Sequence, residues 1–324
     1  MDRMNIHKKY TANKKIKLIG KGGWLIFALA MLQLTGCVKD ELYNTPHPDK
    51  GAVQITTDWT GRSSDAVLPE SYILHIGREE QTSRNTDSAK PATRSTGSEE
   101  QTVSGETNLF KSLFLPGAQS LLVYHQAEGI TISGTTATVN TLEDGTLNPM
   151  PGFLFSAAKE LDVPKDDTLK VTVPMMQHIR TLTLTLKLNN GDEQRIAGTT
   201  ATLTGIVPSV DLATGSVTVA EGKTVVPAFI LGETQVTGNP VLAASLRLLG
   251  VMTGEKQELS IAVALTNGTV QTIKTELTEK LKDFDSGEIE PLILDATLTL
   301  PAEAGISATI SDWNTVNNGN ITVN

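Results

Sequence analysis

An all-β fold of antiparallel β-sandwiches is what this 324-residue sequence predicts, and three observations carry the expectation. Apolar and polar residues alternate in short runs, turn-forming pairs separate those runs, and only one stretch repeats its apolar residues at helical spacing. The clearest run is "TLTLTLKL" at 181–188, with Leu182, Leu184, Leu186 and Leu188 on one face and Thr181, Thr183, Thr185 and Lys187 on the other. Successive side chains of a strand point to opposite faces, so this reads as a strand with one side in a core.

Ahead of the strands the chain opens on a leader. Arg3, Lys8, Lys9, Lys14, Lys15, Lys17 and Lys21 make a cationic start, and Trp24 to Leu34 is an apolar stretch interrupted only by Gln33. About 11 residues is too short for a spanning helix, which needs roughly 20, and the layout is that of a signal peptide. The tetrad Leu34, Thr35, Gly36, Cys37 resembles the bacterial lipobox, in which the Cys becomes the first residue of the mature protein and is acylated. Cys37 is the only cysteine, so its thiol is spent on lipid and the fold is expected to stand without a disulfide. Just past it, Lys39, Asp40 and Glu41 resemble the charged export tag of Bacteroidetes surface lipoproteins, which sends them to the outer face of the outer membrane. A solvated tether is the other reading of that run.

Removing residues 1–36 leaves 288, room for about two domains of roughly 150 residues each. The leader takes seven basic side chains and one acidic. The remainder therefore has 20 Lys and Arg against 35 Asp and Glu, a formal net charge of −15, which speaks against nucleic acid as a partner.

After a tether at 37–50, strand patterns follow at 52–59, 71–76, 120–125 and 168–173, then at 181–188, 200–206, 216–220, 258–265 and 292–300. Asp144-Gly145, Asn190-Gly191 and Asn267-Gly268 suit the positive φ of tight hairpin turns, so the strands are expected to run mostly antiparallel. The helical exception is 271–284, where Ile273, Leu277, Leu281 and Phe284 recur against a charged face. "VPMMQHIR" at 173–180 parts two strong strand patterns, placing a boundary near Pro174 to His178. Two sandwiches are expected, at 51–176 and 177–324.

Residues 78–107 do not fit a packed fold. Their only aliphatic side chain larger than Ala is Val103, too little burial to offset ordering entropy, so the segment is read as a long mobile loop of the first sandwich. Within it Asp87-Ser88-Ala89 resembles the acceptor site of Bacteroidetes protein O-glycosylation, with Ser88 as acceptor; an ordinary polar loop is the alternative.

Catalytic patterns are missing. His47, His75, His125 and His178 are scattered, and no HExxH, paired-cysteine metal site or GxSxG elbow occurs. "GKGG" at 20–23 lies in the leader and lacks phosphate-loop spacing. Asp166-Asp167 reads as an edge charge pair sooner than a cation site. No catalytic residue, metal or cofactor is expected.

The lipobox leader, "GAVQITTDW" at 51–59, "QHIRTLTLTLKL" at 177–188, "TLTGIVPSVDLATG" at 202–215 and "ISATISDWNTVNNGNITVN" at 306–324 together resemble Bacteroidetes fimbrillin-type subunits, particularly the lipoprotein anchor and accessory subunits. The resemblance implies two tandem transthyretin-like antiparallel β-sandwiches, a place in the outer membrane through the lipid, and a role in fimbria assembly and cell adhesion. Stalk subunits or other fimbrillin-like proteins are the implied partners. In that family an Arg-specific protease removes the first strand of a stalk subunit, and a C-terminal strand from the next subunit fills the groove. Anchors keep the first strand.

The candidate first strand is Ala52 to Trp59, and Arg62 in "TGRSS" stands where a stalk subunit would be cut, a processing that an anchor should not undergo. The candidate donor is the tail Ile310 to Asn324, in which Ile321 and Val323 alternate; completing its own sandwich is the equal alternative. A surface glycan-binding module of a nutrient-uptake system would share the leader and the sandwiches. Such modules stack sugars on aromatic platforms, whereas Trp59 and Trp313 are expected in the core.

Overall fold

The computed structural model describes residues 49–77, 98–233, 238–285, 287–302 and 306–316. In chain order the first part carries β1 (Ala52–Asp58), β2 (Tyr72–Gly77), β3 (Glu99–Val103), β4 (Thr107–Leu109), β5 (Gly117–Tyr124), β6 (Ile130–Ser133), β7 (Thr136–Val139), β8 (Phe155–Val163), β9 (Thr168–Pro174) and β10 (Met176–Gln177). The second carries β11 (Arg180–Lys187), β12 (Ile196–Ile206), β13 (Ser209–Asp211), β14 (Lys223–Val225), β15 (Ile230–Glu233), β16 (Pro240–Leu248), β17 (Glu258–Leu265), β18 (Val270–Glu276), helix α1 (Thr278–Leu281), β19 (Leu292–Thr299), β20 (Thr309–Ile310) and β21 (Asn314–Thr315). The all-β expectation holds.

Alternation places the core. Leu182, Leu184 and Leu186 of β11 are fully buried while Thr181 and Thr183 are only half so, and each such leucine contributes about 1.5–3 kcal/mol; Thr185, expected on the outer face with them, is also fully buried. One sheet has the order β4-β1-β9 and a second the order β10-β8-β5-β2-β3. Val53 and Ile55 of the first and Leu74, Ile76 and Val123 of the second are fully buried members of one apolar cluster. Beyond Ile179, β15-β16-β11-β19-β20 makes one sheet, with β21 also on β19, and β14-β12-β17-β18 makes another.

A fifth, three-stranded sheet runs β13-β7-β6. Ser209, Val210 and Asp211 pair there with Thr138, Ala137 and Thr136, so it draws strands from both sides of the expected boundary near Pro174 to His178. Residues Pro48–Asn324 form one compact unit.

The strands pair mostly antiparallel, as expected, and the parallel pairs among the named strands are β1 with β9 and β11 with β19. Several other expectations need correction. The predicted helix over 271–284 is the strand β18 followed by the single turn α1. Of the strand expected at 216–220, only Val217 makes a bridge, to Val210. The segment 78–107 is not loop throughout: Glu99–Val103 is β3, antiparallel to β2, and Val103 is buried. Gly145, Gly191 and Gly268 have φ of 82°, 93° and 84°, in the left-handed region that glycine occupies without strain; Asp144-Gly145 and Asn267-Gly268 turn between antiparallel partners as read, whereas Asn190-Gly191 leads from β11 to β12 in a different sheet.

Candidate functional site: the first strand, its exit turn and the C-terminal strands

β1 fills its own place in the sheet. All seven residues from Ala52 to Asp58 pair in parallel with Thr168 to Pro174, and Gln54 to Thr56 pair antiparallel with Leu109 to Thr107. The strand ends on Trp59, whose ring lies 5.7 Å from that of Tyr72 and 5.4 Å from that of Phe155, edge to face in both cases. Its Nε1 donates to Thr57 Oγ1 at 2.8 Å, and the Tyr72 hydroxyl donates to the Gly105 carbonyl at 2.7 Å. A buried indole with its N–H satisfied is a core anchor. Trp313 repeats the arrangement, 3% exposed, with its Nε1 donating to Thr275 Oγ1 at 3.1 Å.

The chain leaves β1 through a turn bound on both sides of Arg62. Asp58 Oδ1 accepts the Thr60 backbone N–H at 2.9 Å and its hydroxyl at 2.7 Å, which holds the Asp58 carboxyl below its usual range. The Arg62 N–H donates to the Trp59 carbonyl at 3.3 Å, and the Arg62 side chain is exposed. Ser63 is 1% exposed. Its N–H donates to Gln177 Oε1 at 2.9 Å, and Gln177 Nε2 donates back to the Ser63 hydroxyl at 2.9 Å. One residue on, the Ser64 N–H donates to the Glu290 carboxylate, and Asp65 Oδ2 accepts the Thr181 hydroxyl at 2.6 Å. The bond after Arg62 is thus accessible from one side and fixed from the other.

Part of the proposed donor tail is already paired. Thr309 and Ile310 pair with Thr299 and Leu298, Asn314 and Thr315 pair with Asp295 and Leu294, and the Val316 N–H reaches the Ile293 carbonyl at 2.9 Å. Ile310 to Val316 therefore completes its own sheet. Ile321 and Val323 lie outside the described residues, as do Leu34, Thr35, Gly36, Cys37, Lys39, Asp40, Glu41, Ser88 and His47.

Near the exit turn a cleft of about 650 Å³ opens between Arg62, Met176, Val217, Phe284 and Glu288. His178, in its wall, has Nε2 2.6 Å from Ser156 Oγ. The pairing has the wrong polarity for a nucleophile: Ser156 Oγ donates to the Leu212 carbonyl at 2.6 Å, so the imidazole N–H must donate to the serine. Ser156 is also fully buried, and burial pushes the His178 imidazole down to about 4. Arg180 is held by the Glu290 and Phe284 carbonyls at 2.7 and 2.9 Å, over the Phe284 ring. Burial likewise lowers His125, and His75 stands beside Glu100 on the outer face of β2. Asp167, next to Asp166, caps the following Thr168 N–H at 2.6 Å, and no acidic or histidine cluster able to hold a metal occurs among the described residues.

The family model for Fimbrillin-A associated anchor proteins Mfa1 and Mfa2 matches residues 92–319, well over half of the sequence. The chain belongs to this family. Among solved structures, the fimbrial anchor protein Mfa2 from Porphyromonas gingivalis aligns at a TM-score of 0.53 and 10% identity over 82% of this chain and 97% of its own. A structure from Bacteroides ovatus described as an adhesin aligns at 0.55 and 16% over 83% and 95%. One from Bacteroides thetaiotaomicron described as polysaccharide-binding aligns at 0.54 and 8% over 83% and 99%. At such identities the likeness is one of fold. No curated protein sequence matches the chain.

The Gln177 and Glu290 anchors of the exit turn were not legible in the sequence. They come from 114 and 226 residues away, and nothing in either segment names the turn as its partner.

Proposed function

We propose that this member of the fimbrial anchor family is an outer-membrane lipoprotein that holds a surface fimbria at its base and engages the neighbouring subunit by strand complementation. Cys37 carries the lipid, and more than one acyl chain makes such an attachment stable. Lys39, Asp40 and Glu41 direct the chain to the outer face. The observation that carries the reading is the occupied first strand with its pinned exit. Cutting after Arg62 would leave the lipidated segment joined to the body only through the pairing of β1, whereas an uncut chain bears load along covalent bonds.

A donated strand satisfies the unpaired backbone and apolar groove of an incomplete sandwich. Because Ile310 to Val316 is engaged on β19, the donor is the segment after Val316, whose Ile321 and Val323 alternate as a strand requires.

Mass spectrometry of the protein isolated from outer membranes tests the anchor. The expected product begins at an acylated Cys37 and has the mass of the uncut chain; a free N-terminus at Ser63 overturns the reading in favour of a processed stalk or tip subunit. Cys37→Ser should abolish fatty-acid labelling. Alanine at Lys39, Asp40 and Glu41 should keep the label while lowering protease accessibility on whole cells.

A further inference from the structure

A groove of about 580 Å³ lies between the outer face of the β2, β5 and β8 strands and the β6–β7 hairpin, away from the first strand and the tail. We propose that it binds a neutral saccharide, with the Tyr124 ring as the platform and the Glu100 carboxylate as the principal hydrogen-bond acceptor.

Strand alternation builds the floor. Leu121 and Val123 of β5 point into the core, so Leu122 and Tyr124 are left half-buried on the outer face. His75 and Glu100 are direct partners across β2 and β3, with Nδ1 and Oε2 3.8 Å apart. Partial burial of the Tyr124 phenol, with the Glu100 carboxylate near it, raises the phenol above its ordinary value. At one end Gln126 Nε2 is tied to the Ile130 carbonyl at 2.7 Å, which fixes the amide beside the ring. Ile132 of the hairpin closes the opposite side.

A pyranose offers an apolar C–H face and a rim of hydroxyls. A half-exposed tyrosine ring suits the first, and a carboxylate with an imidazole beside it suits the second. Glu100 and Glu160 make the rim acidic, and the Lys159 ammonium is turned away to the Thr172 carbonyl at 3.3 Å. Acidic sugars are therefore disfavoured by like charge. The tryptophans play no part, since both are in the core.

The test is a glycan array probed with the full chain in detergent, followed by titration of the glycans retained. Neutral glycans should bind, and Glu100→Gln and Tyr124→Leu should each weaken binding by about tenfold or more, the loss of one charged hydrogen bond or one stacking contact. Glu100 is on an exposed edge strand and Leu keeps the bulk at position 124, so both variants should fold. Retention of no glycan, preference for acidic glycans, capture of peptides instead, or affinity unchanged in both variants would overturn the proposal. Fimbria assembly is expected to be normal in the same variants, which separates this site from the anchor role.

Discussion

Ser63 and Gln177 are bound to each other in both directions across 114 residues of sequence: the serine N–H donates to Oε1 at 2.9 Å, and Nε2 returns a bond to the hydroxyl at 2.9 Å. Gln177 Nε2 also reaches the Ile179 carbonyl at 2.7 Å. A side chain 7% exposed thereby fixes the residue that follows the exposed Arg62. A protease must draw several residues into an extended conformation, so this pairing protects the bond unless the turn opens locally.

Replacing Gln177 with Ala removes those bonds and leaves the Ser63 N–H buried without a partner. The expected cost is about 1–3 kcal/mol, read from chemical unfolding. In limited digestion with an Arg-specific protease, the variant should be cut after Arg62 much faster than the parent. Equal rates at that bond would mean that the pairing does not guard it.

The polar segment divides at Ser98. Ile76 faces Glu99 across the β2–β3 pair, so Gly77 and Ser98 stand one strand spacing apart and a two-residue Asn-Gly turn can join them. Replacing 78–97 with Asn-Gly should leave the melting temperature nearly unchanged. Deleting 78–107 should lower it sharply, because β3 and the buried Val103 go with it. Trypsin is expected to nick the parent first at Arg84, Lys90 or Arg94, and to find none of these sites in the shortened chain.

What the sequence made legible was local. Leu182, Leu184 and Leu186 announce their strand because one face must be buried, and Trp59 and Trp313 were placed in the core by their strand-end settings. The 271–284 stretch misled because Ile273, Leu277, Leu281 and Phe284 satisfy helical spacing while their partners lie elsewhere. β17 leaves a row of backbone groups to be paired, and Val270 to Glu276 takes it in register with Ala264 to Glu258; helix begins only at Thr278. β3 was hidden for the opposite reason, since Glu99 to Thr102 are polar and only Val103 enters the core. The parallel pairing of β1 with β9 joins segments more than a hundred residues apart, and nothing in either strand names the other.

His178 makes stability depend on pH. Burial depresses its imidazole to about 4, against about 6.5 in the unfolded chain. Between those values the unfolded chain binds the proton and the folded one does not, so stability falls as pH drops from 6.5 toward 4. The loss is up to about 3 kcal/mol. His178→Gln, whose amide can still donate to Ser156, should flatten urea midpoints between pH 7 and pH 4.5, leaving the smaller slope due to His125, which burial lowers as well. A parent midpoint independent of pH over this range would show that the imidazole is not buried in its neutral form.

The tail can be separated into a part that folds and a part that binds. Val316 is the last residue with a described bond, its N–H on the Ile293 carbonyl at 2.9 Å, and three residues earlier Trp313 is 3% exposed with its indole N–H on Thr275. Ending the chain at Asp312 removes that ring and β21, which should cost about 3–5 kcal/mol, the usual penalty for losing a buried tryptophan. Ending it at Val316 keeps both and should change stability by less than about 0.5 kcal/mol. If residues 317–324 donate a strand, the longer truncation product will melt like the parent yet fail to retain stalk subunits in a pull-down. Retention at the parent level would remove the donor role from this tail and place the subunit contact on another edge of the molecule.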